Sequence, residues 1–151
     1  MTYSRGWAEH NPDAIVAMHT EDSVFHLHNI GPPAEGREAV RRLIVALLAD
    51  VPDVRFELIR AHFGIDHFVT EYVMSGTVDG RPFSVDGADV FTVREGLVAR
   101  KDSYVDWTSY EDQVGFDPVA ITVTLTPPLS LTLTAVASRM FTGSAVSAWK
   151  M

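Results

Sequence analysis

Residues 79–97 read DGRPFSVDGADVFTVREGL, and the organisation of the chain follows from them. Asp79-Gly80 is a strong two-residue hairpin signal, because both positions tolerate the positive φ that a tight primed turn needs. From Arg81 to Arg94 the residues alternate: Phe83, Val85, Asp89, Phe91 and Val93 share one parity, as in a strand with one apolar face. Glu95-Gly96 then makes a second tight turn. Strand-like runs flank this hairpin on both sides, Val54–Phe63 and His67–Thr77 before it and Leu97–Trp107 after it. Together they predict a long antiparallel meander.

Upstream of the meander the period changes. Val40, Leu43, Ile44, Leu47 and Leu48 follow i, i+3, i+4, i+7, i+8, so Arg37–Asp50 reads as an amphipathic helix that Pro52 stops. Asn11-Pro12-Asp13 reads as an earlier helix start, with Asn11 as the cap. Ser23–His28 is a strand, and Asn29–Gly36, with Gly31-Pro32-Pro33, is a loop. Helices first and a meander after predict an α+β domain with no βαβ unit and no internal repeat.

Composition narrows the function classes. The chain has 151 residues, 46% hydrophobic and 21% charged, which fits one globular core. The formal charge of −8 argues against a nucleic-acid footprint and against docking on anionic membranes. With no cysteine, disulfides, thiolate metal sites and Cys nucleophiles are excluded. Met1–His10 is polar and no apolar run reaches membrane-spanning length, so a cytoplasmic location is the expectation. After residue 114 the composition shifts: between Gly115 and Met151 the only charges are Asp117, Arg139 and Lys150, and Ile121–Thr126 and Ser130–Thr134 alternate. The domain is therefore expected over residues 1–114, with 115–151 an apolar extension. An extra strand, a dimer arm and a disordered tail are the competing readings of it.

The element order and several local runs resemble the NTF2-like superfamily, within it the SnoaL-like polyketide cyclases and ketosteroid isomerases. The run Asp13–Phe25 resembles their helix-to-strand entry, Gly36-Arg37-Glu38-Ala39-Val40 the start of their long helix, and Gly96-Leu97-Val98 with Tyr104-Val105-Asp106 their closing hairpin. The resemblance covers roughly Tyr3–Gln113. It implies a cone of N-terminal helices on a curved antiparallel sheet that encloses a pocket, and a homodimer.

It also implies roles for individual residues. Tyr3 falls where ketosteroid isomerases keep an oxyanion-hole tyrosine, and Asp89 where they keep the aspartate of the same hole. Donors of that kind stabilise a developing enolate. The family's general base falls on Leu27, which cannot move a proton. Its neighbours His26 and His28 can, though period 2 puts them on the opposite face. SnoaL-like cyclases draw an acidic residue from the later strands, where Asp102 is the candidate and Ser103 the gapless match. The Asp-Arg-Asp set of epoxide hydrolases on this fold is replaced by Tyr72, Met74 and Ser103.

Trp7, Phe25, Leu27, Phe56, Phe83, Phe91 and Ser103 are expected to line the pocket. Lys101 and Asp102 point apart on a strand, and Arg100 pairs with Asp102 in a surface charge ladder. His26 and His28 share a face, but no third ligand follows in sequence, so no metal is expected. No cofactor is expected either, since proton transfer beside a carbonyl requires none. The implied function is enolate chemistry, an aldol-type cyclisation or a double-bond shift, on an apolar carbonyl compound such as a polyketide. The alternative is a small-molecule binding or protein-interaction module without turnover.

Overall fold

The computed structural model describes residues 3–115, 120–123 and 131–134. Two compact units divide at Val114/Gly115. In the first, the elements run α1 (Tyr3–Ala8), α2 (Pro12–Val16), β1 (His19–Leu27), β2 (Ala34–Glu35), α3 (Arg37–Asp50), β3 (Arg55–Phe63), β4 (His67–Val78), β5 (Arg81–Arg94), β6 (Leu97–Val105) and α4 (Trp107–Val114). In the second, β7 (Ala120–Val123) pairs antiparallel with β8 (Leu131–Thr134).

The six strands of the first unit form one sheet in the order β2-β1-β6-β5-β4-β3. The pair β1–β6 is parallel and the other pairs are antiparallel. The two hairpin turns form as the sequence predicts: Asp79 and Gly80 have φ of 50° and 76°, Glu95 and Gly96 of 54° and 78°. This is the NTF2-like α+β cone, a curved, unclosed sheet with helices packed on it.

Helix α3 occupies the predicted span and packs on β1 and α2 through Val40 and Ile44, both fully buried. Asn11 caps α2, its Oδ1 accepting the Ala14 N–H at 3.0 Å. The six-residue α1 settles on α2 because Gly6 has no side chain; a Cβ there would lie 2.8 Å from Ile15 Cγ1. That close approach is what carries Tyr3 and Trp7 onto the sheet.

One expected strand end is a helix instead. The strand expected to run to Trp107 stops at Val105, where Asp106 accepts from the Ser109 backbone N–H at 3.1 Å and caps α4. The Trp107 indole N–H turns to donate to the His28 carbonyl at 2.8 Å. Phe83, expected in the pocket, packs edge-on against Tyr110 of α4 at 4.8 Å between centroids and does not line the cavity.

Candidate functional site

The registers sort the sheet into two faces, because directly paired residues project to the same side. Thr70 pairs with Asp89, Asp89 with Ser103, and Ser103 with Leu27. Phe68 pairs with Phe91, Phe91 with Lys101, and Lys101 with Phe25. These residues form the inner face. Between that face, α1 and the Pro52–Val54 turn lies a cavity of about 980 Å³. Tyr3, Trp7, Phe56, Tyr72, Asp89, Phe91 and Lys101 are among its walls. Phe25, Leu27 and Ser103 share the inner face but are buried and not among the lining residues.

The polar centre of this apolar space is an ion pair that sequence reading did not find. Lys101 Nζ stands 3.0 Å from Asp89 Oδ2, with the two side chains only 6% and 9% exposed. The Tyr72 hydroxyl donates to Asp89 Oδ1 at 3.0 Å. Aromatic rings surround the ammonium, Phe25 at 4.5 Å and Trp7 at 4.7 Å from their centroids, so their negative faces supplement the carboxylate. Burial, and then the charge on Asp89, push the Tyr72 phenol far above its ordinary value, so it stays a donor. Tyr72 reaches Asp89 across Gly87, its register partner. A Cβ on Gly87 would lie 2.5 Å from the Tyr72 ring and 2.9 Å from its hydroxyl.

Tyr3 enters the cavity from α1. Its hydroxyl is 3.0 Å from His19 Nε2, and its ring lies edge-on to Phe91. Burial raises the Tyr3 phenol well above the usual range, and Asp89 adds in the same direction. His19 is fully buried at the start of β1. Burial lowers its pKa to about 4, helped by the charges on Lys101 and Arg37. The imidazole is therefore neutral at physiological pH. Arg37 fixes the strand start by donating to the His19 carbonyl from Nη2 at 2.6 Å and Nε at 3.1 Å.

The structure thus brings Tyr3 and Asp89 to one cavity. His26, His28 and Asp102 stand elsewhere. His26 pairs in register with Asp102, one step out of phase with Phe25 and Lys101, so all three project from the outer face. There His28 Nε2 is 2.9 Å and His26 Nδ1 3.9 Å from Asp102 Oδ1. Arg100 holds the same carboxylate with two hydrogen bonds, as the charge-ladder reading expects. The Arg100 contact, with a smaller contribution from His28, keeps the Asp102 carboxyl below its ordinary range.

Comparison with known proteins identifies the family and agrees with the fold. A family model described as the SnoaL-like domain matches residues 2–101. The chain belongs to the SnoaL-like domain family. A hypothetical protein with a ketosteroid isomerase-like fold from Catenulispora acidiphila, in complex with trimethylamine, is similar at 25% identity and TM-score 0.70, over 75% of this chain and 88% of that one. A putative SnoaL-like polyketide cyclase from Jannaschia is similar at 17% identity and TM-score 0.69, over 77% and 88%. TerC, co-crystallised with polyporic acid, is similar at 13% identity and TM-score 0.67, over 74% and 92%. No curated protein matches the chain. Among the described residues no helix is long and apolar enough to cross a membrane.

Proposed function

We propose that the chain is an enzyme of enolate chemistry, acting in the cavity on an apolar, carbonyl-containing small molecule such as a polyketide, by ring closure or double-bond shift. The buried Lys101–Asp89 pair on an apolar wall carries this reading. A carboxylate opposite an ammonium is an acceptor, so Asp89 takes the base role left open by Leu27. It removes a proton from the carbon next to the carbonyl. The electrons move onto the carbonyl oxygen, where the Lys101 ammonium or the Tyr3 hydroxyl receives the developing charge. Tyr72 steadies the carboxylate from its other oxygen. The expected helpers His26, His28 and Asp102 have no part in this step, because they face away from the cavity. Small organic ligands in two similar structures, trimethylamine and polyporic acid, support a ligand role for the cavity.

The test is α-proton exchange in D2O, followed by NMR with a panel of planar ketones and 1,3-diketones. Wild type is expected to exchange faster than buffer. Asp89→Asn, checked for folding by its melt, is expected to lose at least about 10²-fold in rate. Its ligand binding, read by tryptophan fluorescence, is expected to persist. Leucine at the inward-facing position 27 favours a second reading, a binding module. Binding without any exchange would select that reading and refute the first.

A further inference from the structure

We propose that His26, His28 and Asp102 form a binding site for a divalent transition-metal ion on the outer face of the sheet, across the parallel β1–β6 pair. The site is independent of the cavity chemistry and stands on the other side of the same strands.

Read in sequence, the two histidines lack a third ligand. The fold supplies it from a residue 74 positions away from His28, because the β1–β6 register sets Asp102 directly beside His26. His26 and His28 are two apart, so a strand brings both to one side. The candidate ligand atoms lie within 4.8 Å of one another. A tetrahedral ion bound at roughly 2.0–2.2 Å holds its ligand atoms about 3.3 Å apart. The separations of 2.9 Å and 3.9 Å from Asp102 Oδ1 bracket that value, and a bound ion would draw the wider separations, up to 4.8 Å within the group, toward it.

The surroundings hold the ligands in place. Tyr104 stacks on the His28 ring at 4.2 Å and 13°. The Trp107 indole fixes the His28 backbone through its carbonyl. Arg100 Nε bonds Asp102 Oδ2 at 2.6 Å and orients the carboxylate so that Oδ1 faces the two imidazoles. The Arg100 Nη2 bond to Oδ1, at 2.8 Å, is the contact an ion displaces or shares. Ligating carboxylates are commonly held by such outer partners. Side-chain exposures of 23%, 27% and 15% for His26, His28 and Asp102 leave an entry path. Two imidazoles and one carboxylate suit Zn²⁺, Co²⁺ or Fe²⁺ rather than Ca²⁺ or Mg²⁺. Three protein ligands leave further coordination positions to water.

The probe is Co²⁺ added to the untagged full chain, read by its visible absorption, with Zn²⁺ as the competitor. One equivalent of Co²⁺ is expected to give a ligand-field band that Zn²⁺ abolishes. The imidazole NMR signals of His26 and His28 are expected to broaden before those of the exposed His62 and His67. His26→Ala, His28→Ala and Asp102→Asn are each expected to weaken binding at least about 10-fold. No band, or variants that bind as wild type does, overturns the proposal. Equal broadening at His62 and His67 overturns it too, by showing adventitious binding. The NMR measurement needs no variant, so a substitution that failed to fold would not obscure the result.

Discussion

Replacing Lys101 with methionine keeps most of the length and the apolar bulk of the side chain and removes its charged ammonium. The partner it abandons is nine-tenths buried and keeps a single neutral hydrogen bond, from Tyr72. At 3.0 Å and an effective dielectric near 20, the lost attraction is about 5 kcal/mol. Relaxation and water entry reduce this, and breaking a buried pair from one side typically costs roughly 3–5 kcal/mol. Against a total stability of about 5–15 kcal/mol this is a large fraction. Asp89→Asn alone strands the ammonium and is expected to cost about as much, softened by the rings of Phe25 and Trp7. The double variant Lys101→Met/Asp89→Asn leaves no buried charge and keeps an acceptor for Tyr72. Its cost is expected to fall well below the sum of the singles, with a coupling of about 2–3 kcal/mol. Urea titration of all four proteins measures this, provided m stays constant across them. Singles within about 1 kcal/mol of wild type, or a strictly additive double, would refute a desolvated ion pair at this position.

Two further outcomes follow from neighbouring residues. His19 has a folded pKa of about 4 against an unfolded value of 6.5, so the unfolded chain binds its proton first as pH falls. Its contribution is complete above pH 6.5 and is lost between there and about pH 4, by up to about 3 kcal/mol. His19→Gln is expected to flatten stability across that window in pH-dependent urea melts; an unchanged slope would reassign the acid sensitivity to another group. Gly87→Ala places a methyl 2.5 Å from the Tyr72 ring, which must swing off Asp89. It is expected to cost about 1–3 kcal/mol and to weaken ligand binding, measured by thermal melt and fluorescence titration. A variant equal to wild type in both would show that the Tyr72 hydrogen bond is dispensable.

Where local periodicity and backbone chemistry act alone, the sequence was readable. Helix α3 runs over the expected Arg37–Asp50 and β5 over Arg81–Arg94, and both glycine turns form. The misses lie where a short element depends on tertiary support. Helix α1 has only six residues, and it holds by docking on Ile15 and on the sheet. Helix α4 did carry a signal, Asp106-x-x-Ser109, but Trp107 beside it reads equally well as a strand aromatic. Strand β1 begins four residues before the expected Ser23, at a buried histidine whose placement depends on Arg37 from a later helix.

The site was half legible for one reason, a register shift in β6. A regular strand keeping Val98 inward would also turn Arg100 and Asp102 inward, and would send Lys101 out with the surface charges. In the structure Val93 pairs with Val98 and Thr92 with Arg100, so Ala99 has no partner and the parity changes there. Beyond that point Lys101 and Ser103 face the cavity, while Asp102 turns to His26 and His28. One extra residue thus exchanges the roles of two adjacent charged side chains: Lys101 meets the Asp89 carboxylate on the inner face, and Asp102 meets His28 on the outer face beside Arg100. No period-2 pattern in β6 itself encodes the shift. Asp89 does constrain it, because a buried carboxylate among Phe83, Val85, Phe91 and Val93 requires a partner. Of the charged residues on the neighbouring strand, only Lys101 supplies a cation one step diagonally across from Asp89, whose direct partner is Ser103. A lone acid in an apolar strand therefore predicts the parity of the strand beside it, and deleting Ala99 is the perturbation that would send Lys101 back to the surface.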